Sequence, residues 1–308
     1  MKVVYYPLQN LVSPIDRAVI TIGVFDGLHK GHLLLLKEVL YLSQKLKGNS
    51  VVITFSPHPQ KEKLIYSLAQ RLKFLKELGI DVGIIIKFSS AVADILPEEF
   101  VKDVVLRLSR PLWLIVGENF HFGKDAAGDI NLLKSLSHKY DFNLKVIPPL
   151  KSKGMMISSS YIRNLILQGK IEEARKWLSF PFTISGRVVR GKGMGGLLGF
   201  PTANLNIDSE IIPAFGVYIV KIKLKNKNFP ALCYIGNRPT FNNLLPNNPP
   251  SFEIHILNFK KSLYKEILEV EFIKRLRAQK RFSNIHNLIQ RIKQDIQTAH
   301  RFFAHYLN

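Results

Sequence analysis

Cysteine is all but missing from this chain of 308 residues. Cys233 stands alone, so no internal disulfide can form, which excludes a disulfide-stapled scaffold and fits a reducing compartment. Long apolar runs are missing as well. The most hydrophobic stretch, Leu33 to Leu42, is interrupted by Lys37 and Glu38 and falls far below the ~20 residues of a membrane span. Met1-Lys2 leads into Val3-Val4-Tyr5-Tyr6, which Pro7 cuts short, so nothing reads as a signal peptide. Internal repeats and low-complexity tracts are lacking too. These absences lead to the expectation of a cytoplasmic protein with no membrane association.

Acidic residues are scarce. There are 23 Asp+Glu against 44 Lys+Arg, a net charge of +21. Such an excess fits nucleic acid, an acidic surface or a polyanionic small substrate, or else a general lysine bias on solvated faces. Residues 1–182 hold 25 basic and 16 acidic side chains, and 183–308 hold 19 and 7. With the excess spread over both halves and no like-charge block, a nucleic-acid arm is disfavoured.

What is present divides in two. Up to about residue 180 short β-branched runs alternate with helical stretches. The strands are Ala18–Ile22, Ser50–Phe55, Val82–Ile86, Leu112–Val116 and Leu144–Ile147. Helices are expected over Gly31–Lys45, Ala69–Leu78 and Pro97–Leu108. Nearly uninterrupted apolar strands between amphipathic helices predict a parallel sheet covered on both faces, with ligands at one edge. After Trp177-Leu178 the runs Ile184–Val189, Gly216–Leu224, Ala231–Ile235, Phe252–Leu257 and Ile267–Phe272 are separated by Gly, Pro and Asn rather than by helices. They predict an antiparallel sheet or small barrel. Ile285, Leu288, Ile289, Ile292, Ile296 and Ala299 predict a final helix with one buried stripe. The expected architecture is an α/β domain over residues 1–182 and a mostly β domain over 183–308.

Two segments carry chemistry. Gly23-Val24-Phe25-Asp26-Gly27-Leu28-His29-Lys30-Gly31-His32 runs from a strand end into a helix start, where free amides and the dipole favour phosphate. Gly27 and Gly31 allow close backbone approach. His29 and His32, three apart, share one side of the first turn and suit a polyphosphate. Ile157-Ser158-Ser159-Ser160-Tyr161-Ile162-Arg163 sets hydroxyls before another helix with an arginine on its first turn; these serve as caps or as phosphate ligands. In the second half, the basic glycine loop Gly186–Gly193 precedes Leu198-Gly199-Phe200-Pro201-Thr202-Ala203-Asn204. There a hydroxyl suited to Mg2+ is followed two residues on by an amide on the same face of an extended chain.

These motifs are recognisable together. The first two resemble the nucleotidyltransferases with a His-x-Gly-His signature. Val116-Gly117-Glu118-Asn119-Phe120-His121-Phe122-Gly123, Ala126–Asp129 and Thr54–Pro59 narrow the likeness to the adenylyltransferase module of bacterial bifunctional riboflavin kinase/FAD synthetases. Pro201-Thr202-Ala203-Asn204 resembles the signature of riboflavin kinases. Gly216–Tyr218, Ile235–Phe241, Phe252–Leu257, Leu263-Tyr264, Leu276-Arg277 and Lys280–Phe282 agree with it. The resemblance covers nearly the whole chain. It implies a Rossmann-like nucleotidyltransferase domain followed by a six-stranded barrel with a C-terminal helix. The activities it implies are ATP-dependent phosphorylation of riboflavin to FMN, then adenylylation of FMN to FAD with release of pyrophosphate.

By the same likeness Gly23, Phe25, His29, Gly31, His32, Ser159, Ser160 and Arg163 hold the triphosphate, with His29 and His32 catalytic, and Asn119 meets the flavin nucleotide. In the kinase half Gly191, Gly193, Thr202 and Asn204 bind ATP and Mg2+, Thr202 and Asn204 holding the metal, and Glu253 is the general base. ATP is the co-substrate of both steps. Met194, Gly196, Asn258 and Lys265 depart from the kinase pattern, and residues 242–250 are unusually rich in Asn and Pro. The competing readings are an adenylyltransferase with a weakened kinase half and a flavin-responsive regulator that binds nucleic acid.

Overall fold

The computed structural model describes residues 1–7, 14–60, 62–152, 154–191, 193–225, 227–237 and 250–306. Lys192 of the basic loop, residues 238–241 and nearly all of the Asn/Pro-rich segment lie outside that set. The chain divides into two compact units, Met1–Ser159 and Ser160–Asn308. That division falls upstream of 182/183, because the last two helices of the α/β pattern count with the second unit.

In the first unit six parallel strands form a sheet: β1 (Lys2–Tyr6), β2 (Ile15–Ile22), β3 (Asn49–Ser56), β4 (Val82–Lys87), β5 (Ser109–Gly117) and β6 (Asn143–Ile147). Their spatial order is β1-β4-β3-β2-β5-β6. Ile20, Val51, Ile53, Ile84, Leu114 and Val116 are fully or almost fully buried, as strands covered on both faces must be. The crossovers carry α1 (Lys30–Lys45), α2 (Leu68–Glu77), the short turns α3 (Ser90–Ala93) and α4 (Pro97–Glu99), and α5 (Ile130–Lys139). The helix expected over 97–108 is broken: α4 passes at once into a π-type stretch, Phe100–Leu106, that buries Phe100, Val101, Val104 and Val105. From β2 the chain proceeds through β3 to β4 on one side, and β5 and β6 lie on the other. The crevice at this reversal opens at the carboxyl ends of β2 and β5, where open α/β sheets bind ligands. A two-stranded hairpin, β7 (Lys151–Ser152) with β8 (Met155–Met156), completes the unit.

The second unit begins with α6 (Ser159–Leu167), whose first residue closes the first unit, and α7 (Ile171–Trp177). Six strands then close into a barrel: β9 (Thr183–Val189), β10 (Ala203–Ile207), β11 (Gly216–Leu224), β12 (Lys227–Gly236), β13 (Ser251–Ile256) and β14 (Ile267–Ala278). All pairings are antiparallel, in the order β10-β13-β12-β11-β14-β9. Ile184, Tyr218, Val220, Ile222, Cys233, Phe252, Ile254, Val270 and Phe272 are buried in it. A one-turn helix, α8 (Met194–Leu197), interrupts the glycine loop, and α9 (Ile285–Tyr306) closes the chain.

The stripe expected on α9 is only partly buried. Ala299 and Phe303 pack with Val217, Ile219 and Leu232 of the barrel, whereas Ile285 is 58% exposed. The helix engages the barrel through its later turns, and its first apolar position stays exposed.

Candidate active sites

The first site grows out of β2. After Ile22 the backbone passes Gly23, whose amide donates to Ile53 O. Phe25 and Gly27 then turn through the left-handed region, at φ of +54° and +72°. Phe25 bears that strain while its ring is 2% exposed and meets His32 edge-on at 5.2 Å. Asp26 closes the turn from inside, its Oδ1 accepting from the amides of Ile65 and Tyr66 at 2.8 and 3.3 Å. His29 caps α1, and its Nδ1 accepts the amide hydrogen of His32 at 3.3 Å. Since Nδ1 accepts, the neutral ring is the Nε2–H tautomer, a donor.

The two imidazoles stack at 3.7 Å between centroids. A Cβ on Gly31 would stand 3.1 Å from the His29 ring, so that glycine makes room for the stack. Burial pulls the pKa of His29 down to about 4. Burial, and then His29, hold His32 well below the usual histidine range. The Nδ1 of His32 is shut off from solvent with no hydrogen-bond partner among the described residues, although the residue as a whole is only partly buried. Near neutral pH the site therefore presents two uncharged imidazoles.

Ser159 belongs to this cluster, for its hydroxyl donates to Asp26 O at 2.8 Å. Ser160 and Arg163 follow on α6 in the second unit, where Arg163 Nη1 donates to Ser160 Oγ at 3.3 Å. Asn119 comes two residues after β5, the neighbour of β2, and so flanks the same crevice. It is exposed, and its amide meets Met156 Sδ at 3.2 Å. His58 accepts from the amide of Gln60 and pairs with Glu62, and His121 lies against Asn119 O, so both have local partners. Arg71 was not singled out by the sequence. Completely buried on α2, it donates to Val24 O, Thr54 Oγ1 and Phe55 O.

The second site lies on the barrel at β10 and β13. Phe252, Ile254 and Ile256 are buried, while Glu253 and His255 alternate onto the half-exposed face. Glu253 is the cross-strand partner of Asn204. Thr202 Oγ1 donates to Glu253 Oε2 at 3.5 Å, and His255 Nδ1 lies 2.9 Å from Pro201 O. The pairing of β10 with β13 thus brings Glu253 to Asn204 and to Thr202, which lies 51 positions earlier in the sequence.

The glycine loop closes over them. A Cβ on Gly191 would fall 2.1 Å from Asn204 Nδ2, and one on Gly195 would fall 2.8 Å from Thr202 Oγ1. Gly195 had drawn no attention in the sequence; the contact that requires it is tertiary. Gly193 has open space around it and is required by its φ of +72° instead. Met194 and Leu197 are 54% and 80% exposed, and Lys265 stands at φ +70°.

Comparison with known proteins assigns both halves. A riboflavin kinase family model matches residues 178–303, and an FAD synthetase family model matches 13–161. A bifunctional riboflavin kinase/FMN adenylyltransferase of Buchnera aphidicola is 34% identical over 96% of this chain and 97% of its own length. The Bacillus subtilis protein of the same description is 30% identical over 99% of both chains. A solved Streptococcus pneumoniae structure described as a macrolide-efflux protein superposes with a TM-score of 0.88 at 28% identity, over 97% of this chain and 99% of that one. Among the described residues no helix is long and apolar enough to cross a membrane. With whole-length relatives of one description on one side and a matching pair of family models on the other, the chain belongs to the bifunctional riboflavin kinase/FMN adenylyltransferases.

Proposed function

We propose that this chain makes FAD from riboflavin in two ATP-dependent steps, with the kinase step assigned to residues 183–308 and the adenylyl transfer to 1–182. The observation that carries the reading is the pairing of each family match with its own constellation. The riboflavin kinase match spans Thr202, Asn204 and Glu253; the FAD synthetase match spans Gly23–His32, Asn119, Ser159 and Ser160.

In the kinase step Glu253 accepts the proton of the riboflavin 5′-hydroxyl as its oxygen attacks the γ-phosphorus, and ADP leaves. The Thr202 hydroxyl and the Asn204 amide oxygen are hard donors beside a carboxylate, a set that fits Mg2+ completed by phosphate oxygens and water. When bound there, Mg2+ neutralises charge on the transferred phosphoryl group. The glycines of the loop let its backbone approach the phosphates.

In the transferase step an oxygen of the FMN phosphate attacks the α-phosphorus of ATP, and pyrophosphate leaves. Little covalent chemistry is asked of the protein; positioning and charge stabilisation suffice. Gly23, Phe25 and Gly31 shape the cradle. His29 and His32, neutral by burial, donate to the triphosphate without the cost of burying two charges 3.7 Å apart. Ser159, Ser160 and Arg163 hold the β- and γ-phosphates, and Asn119 contacts the flavin nucleotide. The buried lone thiol of Cys233 supports a cytoplasmic setting.

Incubating the purified protein with riboflavin, ATP and Mg2+ and separating the products tests the proposal. FMN and FAD should both accumulate. FAD formed only from supplied FMN would leave the transferase alone, and neither product would overturn the reading.

A further inference from the structure

Arg71 is the most deeply buried cation in the described part of the first unit, at 0% exposure, and it lies beneath the cradle. Its guanidinium joins two strand ends. Nη1 donates to Val24 O at 2.6 Å and to Thr54 Oγ1 at 2.9 Å, and Nη2 donates to Phe55 O at 3.2 Å. Thr54 Oγ1 in turn donates to the same Val24 carbonyl at 3.0 Å. Val24 immediately precedes the left-handed Phe25, and Asp26 is held from the other side by the amides of Ile65 and Tyr66. The segment 65–71 therefore grips residues 24–26 at both ends, by the Arg71 guanidinium on the Val24 carbonyl at one and by the Ile65 and Tyr66 amides on the Asp26 carboxylate at the other. Strained left-handed turns persist only where their surroundings over-determine them. An arginine's planar fork satisfies several acceptors in one geometry, which a lysine cannot do.

We propose that Arg71 is a positioning residue for adenylyl transfer, fixing the Val24–Gly27 turn so that the amides and imidazoles that follow meet the triphosphate. This rests on the reading of Gly23–His32 as the ATP cradle. Arg71 touches no substrate in the proposal; it acts through the Val24 carbonyl.

The test uses the full-length protein carrying Arg71→Lys, with Thr54→Val as a milder companion that keeps the guanidinium and removes one of its acceptors. In FAD synthesis from FMN, Arg71→Lys should raise KM for ATP about tenfold or more, a loss of about 1.4 kcal/mol of binding. KM for FMN and the rate of riboflavin phosphorylation should stay near wild type, the latter reporting that the chain is folded. Thr54→Val should shift KM for ATP in the same direction by a smaller factor. Without nucleotide, amide exchange over residues 24–27 should quicken in both variants. Unchanged KM for ATP in both variants overturns the proposal, as does unchanged exchange. Loss of both activities in Arg71→Lys, with Thr54→Val indistinguishable from wild type, makes Arg71 a general stability residue and also overturns it. If wild-type protein makes no FAD, the reading of the cradle fails, while the exchange measurement still decides whether Arg71 holds the turn.

Discussion

Single side chains here act through what burial does to them. His29 takes up fewer protons folded than unfolded between about pH 4 and its ordinary 6.5. Its contribution to stability is complete above pH 6.5 and is lost as the pH falls toward 4. The urea midpoint of the wild type should therefore decline from pH 7 to pH 5 more steeply than that of His29→Gln. Parallel slopes would show that the ring is not held neutral. His32→Ala should abolish FAD formation and spare FMN formation, and Glu253→Gln should do the reverse. Loss of both activities in either variant, with the melting curve intact, would contradict two independent sites. The sequence pointed to His29, His32, Thr202 and Asn204 because their spacing is a local pattern, and to Glu253 only through the family resemblance. Arg71 and Gly195 were invisible because the groups they meet are backbone carbonyls or side chains brought in by tertiary folding, which leave no mark in the string.

Elements were legible where periodicity decided them. Ser50–Phe55, Val82–Ile86 and Gly216–Leu224 lie within or coincide with β3, β4 and β11. β10 was missed because Pro201–Asn204 reads locally as a turn; only pairing with β9 and β13 extends it. β1 was missed for a similar reason, since its strand character comes from parallel pairing with β4. Caps are local, and α2 has a complete one: Ser67 Oγ accepts from Gln70 N, and Gln70 Oε1 accepts from Ser67 N. Ser67→Ala should cost about 1 kcal/mol of unfolding free energy, read as a lowered urea midpoint. In the kinase loop Gly195→Ala forces a Cβ to 2.6 Å from Phe200 O. Riboflavin phosphorylation should fall by about tenfold or more, equivalent to about 1.4 kcal/mol of barrier, while FAD synthesis from supplied FMN is unaffected.

At the scale of the whole chain, each proposed activity has its own constellation and its own family match. An equimolar mixture of His32→Ala and Glu253→Gln should therefore convert riboflavin to FAD, because FMN released by one copy serves the other; failure of the mixture would mean that FMN is not shared between copies. The charge of +21 remains spread over both halves, and a gel-shift titration at moderate salt should show no complex with RNA or DNA. Cys233 has a use at this scale that catalysis does not call on. It sits at 0% exposure inside the barrel, with burial and then Glu253 pushing its thiol far above the ordinary range. An alkylating reagent can reach the sulfur only when strands β11 to β13 part. With no other cysteine to label, the rate of modification becomes a stopwatch for barrel opening, readable by mass in the intact protein while the first unit goes about its own fluctuations unseen.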